Sequence, residues 1–285
     1  MDPETRYSRP ADRLIEAAVV RALGQSGADR AGWEFIETGS SNLVVLAGDV
    51  AVRIARDPRS SVELRRTQGL IDRLPDLSFA VPRSLGPVVE HEGLAAVPTR
   101  RLVGTPHPAR SGDPVRLRNL LDAVHSIDVS PLREWLARPR AFCGGPDWLR
   151  VMREQVIPRL PEDVRGEASE RVSALATLDT PGLVLNHGDL AGSNVLWDGG
   201  RVTGVLDWDL AAEDDPAEDV ASLAGWHGWD LAAQLADPDT VARAETFRRS
   251  FPLQVIAFAL SHDRPAPEVE RAIQRALPKL RDTTD

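Results

Sequence analysis

Cysteine is almost missing from this chain: Cys143 is the only one in 285 residues. One thiol can form neither an internal disulfide nor a thiolate metal cluster, which points to a reduced, cytoplasmic setting. Lysine is as scarce, with Lys279 alone among 34 lysines and arginines. That excludes a Walker-type phosphate loop, which needs a lysine before Ser or Thr. Positive charge is outnumbered, 34 Lys and Arg against 43 Asp and Glu, for a net charge of −9. Broad nucleic-acid binding and adhesion to an anionic membrane are disfavoured, and a cationic ligand is suited. No apolar run reaches the length of a membrane span, and residues 1–10 lack the apolar core of a signal peptide. What remains is ordinary for a soluble globular protein, with 42% hydrophobic and 27% charged residues and enough chain for one large domain or two lobes.

Periodicity divides the chain in two. Residues 13–23 carry apolar positions at helical spacing and stop at Gly24. Three short strands follow, at 33–36, 43–46 and 50–54, joined through Gly39-Ser40-Ser41-Asn42 and Gly48-Asp49 as an antiparallel meander. Residues 62–74 return to helical spacing before Pro75. Strand-like runs at 84–89 and 94–97 flank the polar turn Glu90-His91-Glu92-Gly93. Beyond Gly104 the pattern is helical, at 116–127, 131–137, 147–157, 167–178 and from Pro216 onward. The exception is 183–207, where apolar runs flank a Gly-Gly turn. The expected fold is therefore α+β and bilobal, with a small β-rich lobe at 1–103 and a larger, mainly helical lobe at 104–285.

The chemistry concentrates in residues 183–219, LVLNHGDLAGSNVLWDGGRVTGVLDWDLAAEDDPAED. An apolar strand leads into His187-Gly188-Asp189, and Asn194 follows five residues after the aspartate. A hairpin through Asp198-Gly199-Gly200 then returns to Asp207. A turn centred between Gly200 and Arg201 would set Asn194 opposite Asp207, where an amide oxygen and a carboxylate can ligate Mg²⁺. Asp189 can accept a hydroxyl proton and orient that oxygen for in-line attack on a triphosphate. His187 fits a structural role, bonding backbone to hold the loop, better than proton transfer.

His187-Gly188-Asp189 with Asn194, then Asp207, then Asp215-Pro216-Ala217 with Asp219, resembles the signature of aminoglycoside phosphotransferases and related small-molecule kinases. Leu120-Leu121-Asp122-Ala123-Val124-His125 is similar to the family's helix ending in histidine. The resemblance implies a protein-kinase-like fold, Mg²⁺, and ATP or GTP as donor. It implies Asp189 as catalytic base, Asn194 and Asp207 as metal ligands, and Asp219 as stabiliser of the active-site loop. It also implies a phosphate loop at Ser40, Ser41 and Asn42, and a hinge at 97–101 with Val97, Thr99 and Arg100 at the purine edge. Arg53 stands where protein kinases carry the strand lysine. Thr67 stands where they carry the helix glutamate, leaving open whether Glu63, one turn earlier, substitutes.

The implied activity is transfer of a γ-phosphate to a hydroxyl of an aminoglycoside, giving drug resistance by inactivation. Asp209 and Glu213, from the acidic run that also holds Asp214, Asp215, Glu218 and Asp219, are candidates for binding the drug's ammonium groups. Trp226 and Trp229 are candidate walls of the acceptor site. Trp208, Phe247 and Phe251 add to an aromatic set that would suit a macrolide, a reading that stays behind the aminoglycoside one. Choline, homoserine or sugar kinases of the same fold are rivals, and so is a pseudokinase-like nucleotide-binding module. The expected partners are the small acceptor and the nucleotide, with no nucleic acid and no membrane, and the expected state is a monomer.

Overall fold

The computed structural model describes residues 9–24 and 30–282; the polar start read above lies, as far as Ser8, outside the described residues. In chain order the elements begin with α1 (Asp12–Leu23), β1 (Trp33–Ile36), β2 (Asn42–Ala47), β3 (Val50–Ala55) and α2 (Pro58–Ile71). They continue with β4 (Val89–His91), β5 (Leu94–Arg100), β6 (Thr105–Pro106), α3 (Pro114–His125), α4 (Trp148–Arg150) and α5 (Glu162–Ala176). Next come β7 (Val184–Asn186), β8 (Val195–Asp198), β9 (Arg201–Val205) and β10 (Ala212–Asp214). The chain closes with α6 (Ala217–His227), α7 (Ala232–Leu235), α8 (Pro238–Ser261) and α9 (Ala266–Arg281). The class is α+β, with an antiparallel sheet in the N-terminal region and helices in the C-terminal region.

Two compact units result. One comprises Met1–Pro106, Pro131–Leu136 and Val195–Asp209; the other comprises His107–Ser130, Ala137–Asn194 and Leu210–Asp285. The 195–209 hairpin thus groups with the N-terminal unit, although it lies far along the chain.

In the first unit the sheet runs β1-β2-β3-β5-β4. Gly48 makes the β2–β3 turn possible with φ of 61°, a value glycine adopts without steric cost. Ile15, Ala18 and Val19 of α1 bury against Leu43, Val45, Val52 and Ile54 of the sheet. Asp57 caps α2 by accepting from the Ser60 N–H at 2.8 Å, with Pro58 in the first turn. The strand expected at 84–89 shrinks to β4, because Gly86 and Pro87 interrupt it; Ser84 joins the sheet only through an isolated bridge to Thr99. In the β8–β9 hairpin, Gly199 and Gly200 both take positive φ, 53° and 75°, which places a two-residue turn between Asp198 and Arg201. With a bulge at Leu196/Trp197, the ladder ends on Val195 opposite Val205. Asn194 and Asp207 are therefore not a ladder pair, contrary to the expected register. The turn went where two glycines could both adopt left-handed backbone.

In the second unit β7 pairs with β10, and Ala212 lies opposite Asn186. The helical core joins Val164, Ala168 and Val172 of α5 to Leu253, Ile256 and Ala257 of α8 and Ile273, Ala276 and Leu277 of α9. Asp237 caps α8, accepting from the Asp239 and Thr240 N–H groups, each at 3.0 Å. The helix expected at 147–157 is split into α4 and a π-helical turn over Val151–Val156, ending where Pro158 cannot donate a backbone hydrogen bond. At 131–137 only a single 3-10 turn forms, Arg133–Trp135, and it belongs to the first unit. Among the described residues, no helix is long and apolar enough to cross a membrane.

Gly69 of α2 lies under the Trp135 indole, where an added Cβ would come within 2.1 Å of ring carbons. Gly69→Ala is expected to destabilise the fold by about 1–3 kcal/mol despite alanine's helix propensity. A thermal melt reads it; a raised Tm would show that the ring has room to move.

Candidate active site

Asp189 sits on the loop after β7 and is half-buried. Its position is fixed from several directions. Asn194 Nδ2 donates to both the backbone oxygen and Oδ2 of Asp189, each at 2.9 Å. The Asp189 N–H points at His187 Nδ1, 3.3 Å away. Gly188 has φ of 81°, and a Cβ there would lie 2.8 Å from the Leu210 backbone oxygen. Burial lifts the Asp189 carboxyl above the usual aspartate range, and the Asp219 charge adds to the lift; the His187 ring and the Asn194 hydrogen bond act against both.

Asp219, on the first turn of α6, anchors this loop. Its carboxylate is 0% exposed and accepts from the His187 N–H at 2.9 Å and the Gly188 N–H at 3.0 Å. His125 Nε2, at the end of α3, lies 3.1 Å from Asp219 Oδ2. Burial would raise this carboxyl, but the hydrogen bonds and the two histidines outweigh it and leave it below the usual range. Asp215 is equally buried and accepts from the N–H of Ala217, the first residue of α6, at 3.0 Å. Arg243 of α8 donates two hydrogen bonds to its carboxylate, at 2.8 and 3.2 Å.

Asp189 opens onto two adjoining cavities within the second unit. The larger, about 440 Å³, is walled by Asp189, Trp226, Phe251, Arg248 and Lys279 among others, a size suited to a small-molecule ligand. The smaller, about 230 Å³, shares Asp189, Ser222 and Phe251 with it and adds Phe142, Glu218 and Gln254. Of the four acceptor-side candidates only Trp226 reaches these cavities; its indole N–H donates to the His107 carbonyl at 2.9 Å, and it covers Gly192. Trp229 instead lies under the Arg248 guanidinium, 4.7 Å from the ring centre. Glu213 is opposite Leu185 in the β7–β10 ladder. Burial pushes the Glu218 carboxyl up to about 7, with Arg140 opposing and the neighbouring carboxylates of Asp214, Asp219 and Asp215 reinforcing it.

In the first unit, Asp209 has a different occupation from the expected one. Arg53 Nη2 donates to both its oxygens, at 3.0 and 3.2 Å, and Asn42 Nδ2 donates at 3.2 Å. Burial raises the Asp209 carboxyl, yet the Arg53 charge and the hydrogen bonds from Arg53 and Thr67 bring it below the ordinary range. Thr67, in the helix-glutamate place, thus bonds the acid that pairs with Arg53. Glu63 pairs with Arg66 instead, at 2.9 Å. The signal for this lay in the second aspartate of Asp207-Trp208-Asp209, though 156 residues separate it from Arg53. Arg56, 6% exposed, holds the loop ahead of β2 through the Gly39 carbonyl at 2.9 Å and the Glu37 carbonyl at 2.6 Å. Ser40 and Ser41 sit on that loop and Asn42 begins β2. Val97, Thr99 and Arg100 lie inside β5, opposite Arg53, Ala51 and Val50, and the Thr99 hydroxyl donates to the Ala51 carbonyl at 3.0 Å.

These residues fit the groups the sequence implied. Arg53 Nη1 and Asn42 Oδ1 are buried and have no hydrogen-bond partner among the described residues. A buried guanidinium N–H left open suits an anionic oxygen such as that of a phosphate. Asn194 spends its amide N–H groups on Asp189, so its amide oxygen remains for a hard cation. Asp207 is exposed, on left-handed backbone with φ of 59°. No cluster of three His, Cys, Asp or Glu able to hold a metal exists among the described residues. An amide or carboxylate oxygen is a donor type that suits Mg²⁺, which takes one or two protein ligands and fills its shell with phosphate and water.

A family model described as the phosphotransferase enzyme family matches residues 32–252. Viomycin phosphotransferase of Streptomyces vinaceus is 32% identical over 161 residues, 53% of this chain and 50% of that protein; the chain thus matches about half the length of this curated relative. Among solved structures, the GDP and kanamycin complex of APH(2″)-IIia superposes with a TM-score of 0.78 at 17% identity, covering 95% of this chain and 99% of that one. The apoenzyme of a macrolide 2′-phosphotransferase from Brachybacterium faecium does so with 0.66 at 22% identity, covering 95% and 100%. These two likenesses show the fold.

Removing the Asp219 anchor tests its weight. Asp219→Ala leaves two backbone donors and a histidine without their acceptor, at a cost on the order of 3 kcal/mol. Because the folded pKa is depressed, this contribution is present above the unfolded value near ~4 and is lost as pH falls through the folded value. Melts between pH 7 and 3 should show a flatter acid limb in the variant; parallel limbs would contradict the assignment.

Proposed function

Because the chain belongs to the phosphotransferase enzyme family, we propose that it transfers the γ-phosphate of ATP or GTP to a hydroxyl of an aminoglycoside antibiotic, inactivating the drug. The observation that carries this reading is Asp189: a half-buried carboxylate with raised pKa, rigidly held, on the wall of a ligand-sized cavity. There it accepts the proton of the acceptor hydroxyl and orients the oxygen toward phosphorus. Asn194 and Asp207 would hold Mg²⁺, which would neutralise triphosphate charge when bound. Arg53, steadied by Asp209, binds phosphate oxygens through its open Nη1. Asp209 is then a positioning residue for Arg53 and not an acceptor ligand. His187 and Asp219 hold the loop. The protein acts as a cytoplasmic monomer.

A macrolide acceptor is the second reading, favoured by the apolar surface of Trp226, Phe251 and Pro252 in the larger cavity. Phosphorylation assays on kanamycin and erythromycin, each with ATP and with GTP, separate the two. Kanamycin turnover without erythromycin turnover supports the first; the reverse supports the second, and neither would remove the antibiotic assignment.

Asp189→Ala should lower kcat about 100- to 10,000-fold with nucleotide binding unchanged. In the wild type the base must be ionised, so activity falls as pH drops through the raised Asp189 pKa, higher than an exposed aspartate would give. Arg53→Ala and Asp209→Ala should each raise the nucleotide KM about tenfold, and the double variant should be little worse than either. Additive losses would show that the pair does not act as one unit.

A further inference from the structure

Asp219 holds the start of the Asp189 loop, at His187 and Gly188, and leaves its far end to other partners. There the Asn194 N–H donates to the Ala191 carbonyl at 2.9 Å, and the Gly192 carbonyl accepts from the His107 N–H at 3.0 Å. The His107 carbonyl in turn accepts from the Trp226 indole at 2.9 Å, and the Arg110 N–H donates to the Trp226 carbonyl at 3.3 Å. The short segment 107–110 thus ties the loop to the end of α6, all within the second unit. Trp226 also presses on the loop directly, so closely that a Cβ on Gly192 would overlap its indole. Asp189, Ala191 and Trp226 line the larger cavity together.

A second histidine holds that segment in place. His107 Nδ1 lies 3.3 Å from Nε2 of His227, the last residue of α6, with ring centres 4.7 Å apart. His227 is 4% exposed, and Gly112 approaches so closely that a Cβ there would sit 2.8 Å from its ring. His227 Nδ1 is buried with no hydrogen-bond partner among the described residues. A proton on that nitrogen would be an orphaned buried N–H, which folded proteins avoid more strictly than an orphaned acceptor. The proton therefore belongs on Nε2, which donates to His107 Nδ1. Burial, reinforced by the His107 ring, holds the His227 imidazole down to about 4, and burial lowers His107 as well. Both rings are neutral at pH 7, and the bond between them persists there.

Leucine or phenylalanine would fill the same space without burying an unpaired nitrogen, whose desolvation costs stability. What histidine adds is one directed N–H, and it points at the residue whose backbone carries both Gly192 and Trp226. Neither histidine lines either cavity onto which Asp189 opens. The pair acts through the loop and not on the acceptor.

We propose that His227 is a positioning residue for the transfer reaction: through His107 it clasps the far end of the Asp189 loop, so that Asp189 and Asn194 keep their geometry and Trp226 keeps its place on the cavity wall. This rests on the reading of Asp189 as the base. The loop is then held at both ends, by Asp219 at its start and by the histidine pair beyond Asp189.

Amide hydrogen exchange on the ligand-free protein tests the clasp without turnover. Wild type, His227→Phe and His227→Gln are compared at pH 7, with melts confirming that each is folded. Phenylalanine keeps a ring and removes the donor, whereas glutamine returns an amide N–H close to the place of Nε2. Loss of one hydrogen bond should speed exchange at His107 and Asn194 about three- to tenfold in His227→Phe, with the β2–β3 ladder unchanged. His227→Gln should restore most of the protection. With kanamycin or erythromycin, whichever is phosphorylated, His227→Phe should lower kcat by a similar factor at unchanged nucleotide KM. Should His227→Phe not fold, His107→Phe, at the half-buried end of the pair, carries the same expectations. Wild-type exchange or wild-type kcat in the folded phenylalanine variant overturns the clasp, as does a His227→Gln as impaired as His227→Phe. Asp189→Ala separates the two readings: full activity there removes the base, whereas an inactive Asp189→Ala beside a fully active His227→Phe removes the clasp alone. If wild type turns over neither drug, the antibiotic reading fails and exchange alone decides the clasp.

Discussion

A single buried carboxylate holds the loop on which the chemistry depends. Asp219 is removed from water and compensated by two backbone N–H groups and His125. An ionised group without these partners would be expelled or protonated, so the loop must keep its backbone donors turned inward. Turning the His187 and Gly188 N–H groups inward sets the direction of the chain at Asp189. The positive φ of Gly188 and its close approach to Leu210 follow from the same constraint. Asp219 and Asp189 also repel, which contributes to the raised pKa of Asp189. Burial is the larger cause of that raised value, and the anchor adds to it.

The first unit solves a similar problem differently. A protein-kinase strand lysine pairs with a helix glutamate, and here neither residue is present. Arginine takes the strand position, and its partner comes from the end of the 195–209 segment. Asp209 accepts from Arg53 and Asn42 together, while Thr67 adds a hydrogen bond from the helix. Arginine's forked head suits this arrangement: Nη2 is spent on the carboxylate and Nη1 is left open. A lysine could not divide its donors between fixed directions in the same way.

Local features were legible from sequence, and long-range ones were not. The meander around Gly48 and the Gly199-Gly200 turn follow from residues that tolerate positive φ. The Asp189-Asn194 spacing encodes a contact closed within five residues. Exact register escaped, because Gly199-Gly200 permits more than one turn centre and only the competition between glycines decides. The Arg53–Asp209 pair spans 156 residues, and no periodicity reports a contact of that length.

Bulk charge does not say which carboxylates are already committed. The net charge of −9 arises from carboxylates most of which are already committed, such as Asp215 to Arg243 and Asp219 to the loop. The acidic run at 213–219 looks uniform in sequence, yet burial assigns each member a separate duty. Glu218 shares the Arg140 guanidinium with Asp214, each accepting one hydrogen bond from Nη1. The attraction available to a ligand is set by which acids are left uncompensated and not by the number nearby. A chain can therefore be strongly acidic and still present a cavity walled by arginine.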